Sequence, residues 1–489
     1  MRNRFEQQLT IGILPIEQTK VSPKIKDSLT ELLAALLKIY KTPEYSNKIF
    51  SMLERYILKY KKRTGRKGMN LWQIFVLGQV RLCENIGYSK LHAEANNNLT
   101  LRSLLGVGAE NGGFTRIEFE YQNIYDNVSA LNDKLLKEIN DVIVEFAHKE
   151  VFKKKEKAPL HLKTDSFVVE SNVHFPTDYN LLWDSARKCL DAVSKFTKKY
   201  DSISGWRKLS NWRGELKGLM RELGKASSSG GKNKAKREQI ATKKYLKKAK
   251  ALINKLNATL NYLPINDNED IALIYTLEHF ISLINKHIDL VDRRILKGEK
   301  IPHYEKLFSV FETYTEWVKK GKKRPNVELG KKLNITTDQY NLIIDYQIMN
   351  HEQDRDVLLK VASRVLNKFD VNIWSFDKAY WTKDNKQILQ LYVPNVIMPK
   401  LGRRTKQEEQ EEKSKKFRKY KNIHSTIESN INELEHRGLG RCPDRGFKHY
   451  VAYIGMGVCA YNLKKIGKFI LDEQRKKIKL ERQKLKLAS

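Results

Sequence analysis

The sequence predicts a mixed α/β domain, a sheet flanked by helices, preceded by an all-helical region and interrupted by a long helical insertion. Three observations predict it. Apolar residues recur at helical spacing from about residue 26 to 148. Alternating and β-branched runs occur only at 160–175 and again from 339 onward. Between these two β-rich regions lies a lysine-rich helical stretch without a candidate catalytic motif. The expected organisation is a helical region over 1–150, a first part of the α/β domain over 158–194, a helical insertion over 195–335, a second part over 336–470 and a basic helix over 471–489.

In chain order, Leu29, Leu32, Leu33, Leu36, Leu37 and Tyr40 trace one apolar stripe, and Tyr56, Leu58 and Tyr60 a second. A basic loop at 61–67 follows. Asn70 is placed to cap a helix over 71–82, and Gly87 allows a turn into another over 88–95. Such a pair can enter a DNA groove or serve as a packing unit. Val128, Leu131, Leu135, Leu136, Ile139, Val142 and Ile143 continue the helical pattern to the charge run at 153–157. Two strands are then expected, joined tightly around Asp165 and ending at Pro176; an Asp there either caps the turn or serves as a rigidly held ligand. Thr177 or Asp178 caps the next helix. The basic stretch from 195 to 325 reads as a helical hairpin or bundle with a turn at 227–231, its Trp206, Trp212, Tyr245, Tyr262 and Tyr275 either packing or lying along nucleic acid. Beyond it the expected elements are a strand over 339–349, a helix over 354–369, a strand over 371–377 ending in Asp377, a helix near 384–391, a short strand near 392–396 and a charged run over 400–421 read as a solvated loop entering a helix. The helix carrying Glu428 follows, then a final apolar helix from Met456 and the basic tail.

Lysine and arginine number 92 against 57 acidic residues, a net charge of +35 over 489 residues, which points to a polyanionic partner. A membrane surface is the weaker alternative, since no single amphipathic helix carries the charge and no run reaches the ~18 apolar residues of a span. Cys83, Cys189, Cys442 and Cys459 have neither metal-ligand spacing nor the density of a disulfide framework.

The densest polar chemistry lies at 424–446. Ile427, Ile431 and Leu434 share one helix face, Glu428, Asn432 and Glu435 an adjoining one; Gly438, Gly440 and Pro443 end the helix where Arg437, Arg441 and Arg445 gather. Asp165, Asp377 and Glu428 are three hard oxygen ligands from separate elements. Such a set suits two Mg²⁺ ions, with Mn²⁺ as a substitute, and phosphodiester hydrolysis or transfer. Glu435 rivals Glu428, and Glu170 and Asp178 rival Asp165. Lys378, His424, Asn432 and His436, with the three arginines, are candidate contacts to DNA phosphate, or, for Lys378, His424, Asn432, His436 and Arg441, groups that orient a carboxylate.

Four motifs carry a family resemblance: Gly68-Met-Asn-Leu-Trp-Gln-Ile with Arg81-Leu and Leu91-His-Ala-Glu-Ala-Asn; Thr164-Asp-Ser-Phe-Val-Val-Glu-Ser-Asn-Val-His-Phe-Pro-Thr-Asp178; Ser375-Phe-Asp-Lys-Ala-Tyr-Trp381; and, most specific, Glu428-Ser-Asn-Ile-Asn-Glu-Leu-Glu-His-Arg-Gly-Leu-Gly-Arg-Cys-Pro-Asp-Arg-Gly446. Through them the chain resembles bacterial insertion-sequence transposases of the DDE type. That resemblance implies a ribonuclease-H-like catalytic domain in which Asp165, Asp377 and Glu428 bind divalent metal. It also implies a homodimer on double-stranded DNA that joins transposon ends to target DNA in the bacterial cytoplasm, beside the nucleoid. The insertion falls between the two aspartates instead of before the glutamate, so no role is carried over to its residues.

Overall fold

A computed structural model of the chain describes residues 14–58, 68–108, 117–155, 158–319 and 326–488. The basic loop expected at 61–67 lies outside them. The described residues form two compact units, one drawn from 1–172 and 318–489, the other from 173–317.

The first unit begins with seven helices: α1 (Ser28–Tyr40), α2 (Pro43–Leu53), α3 (Leu71–Cys83), α4 (Tyr88–Asn97), α5 (Leu99–Leu104), α6 (Tyr121–Val128) and α7 (Asp133–Phe146). Asn70 caps α3 as expected: its Oδ1 accepts from Gln73 N–H while Gln73 Oε1 accepts from Asn70 N–H. Twelve of the thirteen residues of α3 are buried. It is therefore a packing helix without a face for groove reading.

The strand β1 (Leu160–Glu170) is a single element, which corrects the expectation of two strands hinged at Asp165. The polar Thr164-Asp-Ser sequence reads as a turn, yet its groups are satisfied laterally. Thr164 Oγ1 lies 2.8 Å from Thr336 Oγ1 and accepts from Trp374 Nε1 at 2.7 Å. With the hydroxyl paired on both sides, nothing forces the chain to turn.

The second unit is built on α8 (Asp178–Lys199), α9 (Leu209–Ser228), α10 (Lys234–Leu260) and α11 (Asn268–Val291). Thr177 caps α8, and Phe196, Trp206, Leu216, Tyr245, Leu252 and Ile284 lie in its core. Trp206 and Tyr245 are thus packing residues, while Tyr262 and Tyr275 are exposed.

The first unit resumes with β3 (Val327–Thr337), preceded by β2 (Glu316–Lys319) at the boundary, then β4 (Ile343–Ile348), α12 (Asp354–Leu366), β5 (Val371–Phe376), α13 (Lys383–Gln390), β6 (Asn395–Ile397), α14 (Lys406–Lys413), α15 (Lys415–His424), α16 (Thr426–Leu434) and α17 (Phe447–Ala488). β2 and most of β3 fall inside the stretch expected to be helical insertion, and the charged run expected as a loop over 400–421 is largely helical, as α14 and α15, because Thr405 and Glu408 form a capping box that starts α14. The six strands form one mixed sheet ordered β2-β3-β1-β5-β6, with β4 also on β3. β1 pairs antiparallel with β3 and parallel with β5, which pairs parallel with β6. Leu160, Leu162, Leu358, Val361, Trp374 and Phe376 pack in a core against it. α17 runs 42 residues without a break, about 63 Å at 1.5 Å per residue. It replaces the separate helix and tail expected from Met456 and residue 471. No described helix is long and apolar enough to cross a membrane.

Candidate active site

The parallel ladder between β1 and β5 ends at the pair Thr164↔Phe376. Asp165 and Asp377 are each the next residue. β1 continues to Glu170 along β3, but its parallel neighbour stops, so Asp165 lies at the end of the β1–β5 ladder although not at the end of its strand. Asp377 is exposed and begins a short 3₁₀ turn over Lys378–Tyr380, accepting from Tyr380 N–H at 3.3 Å through its backbone carbonyl.

A buried lysine that sequence reasoning missed seats the helix carrying Glu428. Lys163 lies two residues before Asp165, on the same face of β1, and is 5% exposed. Its Nζ donates to Asn341 Oδ1 and to Thr426 Oγ1, both at 2.8 Å. Asn430 Nδ2 donates to the same Asn341 oxygen at 3.2 Å. α16 is thereby tied to β1 at two of its turns, with Ile427 and Leu434 buried beneath it as expected and Glu428 exposed on the adjoining face. The alternation Lys163, Asp165 was the available signal. Its meaning depends on Asn341 and Thr426, far along the chain.

Asp165 is partly buried. Burial, then the negative charges of Asp377, Asp354 and Glu428, push its carboxyl up to about 7 against a hydrogen bond from Ser166 N–H at 2.7 Å. Asp354, at the start of α12, is a fourth carboxylate absent from the sequence-based set. Ser166 Oγ donates to one of its oxygens and Lys332 Nζ to the other at 2.9 Å. Nearby, Asn334 Nδ2 donates to the buried Tyr380 Oη at 2.6 Å.

His424 is held in place by a neighbour on β5. Its Nδ1 lies 3.0 Å from Ser375 Oγ, and burial pushes its pKa down to about 4, the Asp377 charge opposing. A neutral ring offers one N–H donor, which suits orienting a carboxylate or a single hydrogen bond to phosphate instead of a cationic contact. Lys378, Asn432 and His436 are exposed.

The arginine-rich turn divides. Arg437 Nη1 donates to Cys83 O at 2.9 Å, at the end of α3, and Arg441 Nη2 to Asn172 Oδ1 at 3.1 Å; Arg445 is exposed. Gly438, with φ of +101°, turns the chain where a Cβ would lie 2.6 Å from Tyr453 Oη. Cys442-Pro443-Asp444 then acquires a physical account. Gly440 O accepts from Glu170 N–H at 3.0 Å and Cys442 N–H donates to Glu170 O at 2.8 Å, adding a parallel bridge to the end of β1. Asp444 is gripped by Arg81 through two bonds, of 2.8 and 2.6 Å, and that guanidinium lies 4.1 Å over the Tyr88 ring. The turn docks the site's segment onto the N-terminal helices. Among the rivals, the Glu170 backbone makes this bridge, and Asp178 pairs with Arg294 at 2.6 Å within the second unit.

Among the described residues, no group of three His, Cys, Asp or Glu side chains stands close enough together to hold a metal ion. Comparison with protein-family models, curated proteins and solved structures finds no match.

Proposed function

We propose that this chain is a DNA transposase of the kind its motifs resemble, one that binds the inverted-repeat ends of an insertion sequence, cleaves a phosphodiester there and transfers the 3′-hydroxyl to target DNA. The observation that carries the reading is the register: Asp165 and Asp377 directly follow the last pair of a parallel ladder, and both Asp377 and Glu428 act on the Asp165 carboxyl. The net charge of +35 supports a polyanionic substrate.

The donor chemistry of the three carboxylates, though not their spacing here, suits a hard divalent cation. All three groups offer carboxylate oxygen, and the negative charge crowded around a partly buried Asp165 is what such a cation offsets. Asp165, Asp377 and Glu428 would hold it; when bound, the metal supplies stabilisation of charge on the attacking and leaving oxygens. The chain's own residues fix the rest. Lys163 and Asn341 hold α16, and so the backbone of Glu428, against β1. Ser166 and Lys332 occupy Asp354, which leaves it a supporting group instead of a ligand. Ser375 orients a neutral His424 beside Asp377.

The test is incubation with labelled element ends, Mg²⁺ and a target plasmid. Strand joining is expected from the wild type. Asp165→Asn, Asp377→Asn and Glu428→Gln should each lose it by ~10³-fold or more while still binding DNA, and Glu435→Gln should retain it. Nicks without joined products would identify a nuclease, and neither product a DNA-binding protein. Activity in Glu428→Gln but not in Glu435→Gln would reverse the assignment of the glutamate.

A further inference from the structure

The second unit is electrically lopsided. Between residues 207 and 255, which contain α9 and most of α10, there are 16 lysines and arginines against three glutamates; between 256 and 317 there are six against ten acidic residues. Most of that excess sits on α10. At 100° per residue, Lys236, Lys243, Lys247 and Lys250 fall within an arc of about 60°. They lie opposite the stripe of Ala241, Tyr245, Ala249, Leu252 and Leu256 that enters the core.

The charges on the flank toward α9 are already engaged. Lys244 pairs with Glu222 at 3.1 Å and Lys248 with Glu215, while the Lys248 ammonium also lies 3.9 Å from the Trp212 ring centre and that of Lys255 4.7 Å from Trp206. Ion pairs are equally common elsewhere in the unit: Arg213 with Asp191, Arg294 with Asp178, Lys199 with Asp267 and Asp270. The four outward lysines of α10 are exposed and make no ion pair or hydrogen bond among the described residues. Like charges three and four residues apart repel and weaken a helix by a few tenths of a kcal/mol per pair. A partner with closely spaced negative charge reverses that sign.

We infer that the outward face of α10 is a docking surface for the phosphate backbone of duplex DNA, engaged through Lys236, Lys243, Lys247 and Lys250. The span from Lys236 to Lys250 is about 21 Å of helix, against one negative charge per ~1.7 Å of duplex. Lysine contributes point charges without base-reading geometry, so this contact adds affinity and not sequence preference. The inference rests on the proposed function only in taking DNA as the polyanion.

The experiment measures binding of a short fluorescein-labelled duplex to the full chain across a NaCl series. One variant carries Lys→Gln at the four positions. A control carries Lys→Gln at Lys195, Lys198, Lys297 and Lys300, which removes the same charge elsewhere in the unit. Each lost phosphate contact removes ~0.9 from the slope of log K against log salt, so the first variant should lose about 3–4 while the control keeps its slope. A Lys→Arg version of the four should retain the wild-type slope, which separates lost contact from lost folding. An equal fall in both glutamine variants, no fall in the first, or a change in sedimentation without a change in DNA affinity would overturn the inference, the last by seating a second copy of the chain on this face. Asp165→Asn should bind with the wild-type slope. If it also still cleaves, the catalytic reading fails while the lysine result stands.

Discussion

The end of the β1–β5 ladder and the helical unit handle buried charge in opposite ways. Around Asp165 three further carboxylates act on one partly buried acid, and its pKa rises to about 7. In the helical unit the buried Asp270 faces Lys199 Nζ at 2.7 Å, Tyr200 Oη at 2.6 Å and Asn266 N–H at 2.9 Å; although burial would raise it, these bonds hold its carboxyl at about 2. The second arrangement stabilises a fold. The first works against one: Lys332 pairs with Asp354, yet the charges around Asp165 still raise its carboxyl, the pattern of a place where charge is kept for a ligand.

The sheet-bearing unit also contains a conventional clasp, and breaking it should have the largest effect on stability. Arg81 is 2% exposed and donates two bonds to Asp444. Arg81→Met leaves that carboxylate facing a desolvated pocket and should cost about 3–5 kcal/mol in urea unfolding. Adding Asp444→Leu should recover most of the loss, because no unpaired charge remains. Arg293, whose three acidic partners lie nearer solvent, should lose less on the same substitution. An equal loss at the two arginines would remove the distinction between a buried clasp and surface pairing.

Much of the sheet's second half was legible because local pattern and tertiary role agree there. β5, α12 and α13 fall close to where alternation and helical spacing place them, and the Asn70 and Thr177 caps form. β3 was hidden by its own chemistry. Gly330, Lys331 and Lys332 fall within the stretch expected to be helical insertion, yet a Cβ at Gly330 would lie 2.0 Å from Val169 O, so the glycine is there to let β1 approach. Lys331 is buried on Asn350 Oδ1, and Lys332 reaches Asp354. Of the site, Asp165, Asp377 and Glu428 could be proposed from motif and element type. The supporting residues could not, since Lys163 depends on Asn341 and Thr426, and Asp444 on Arg81, pairings that only the folded chain brings together.

Asp165 gives a smaller effect whose sign tests the comparison. Its folded pKa of about 7 lies above the ordinary 3.8, so between those values the folded state holds a proton that the unfolded state has released. Stability from this group is present below pH ~4 and is lost as pH rises through 7. Asp165→Asn should therefore be more stable than the wild type at pH 8 in EDTA by about 1–3 kcal/mol, with the difference shrinking toward pH 4. Mg²⁺ should raise the Tm of the wild type more than that of the variant. A variant less stable at pH 8 would mean that the acid is held by favourable contacts, as Asp270 is.

Asp270 should give the mirror image, with the smallest change over the working pH range. Its folded pKa of about 2 lies below 3.8, so the folded state is the weaker proton binder. The stabilisation is complete above pH ~4 and is lost as pH falls through 2. Asp270→Asn should lower the Tm at pH 6, because Lys199 and Tyr200 lose a charged acceptor, and the gap to the wild type should close as both are acidified toward pH 2. The two asparagine variants thus move stability in opposite directions, Asp165→Asn most visibly in mild alkali and Asp270→Asn above its acid transition. If both curves shifted the same way, the contrast between an acid held against its surroundings and one held by them would be lost, and with it the physical reason for regarding the end of the β1–β5 ladder as the place of chemistry.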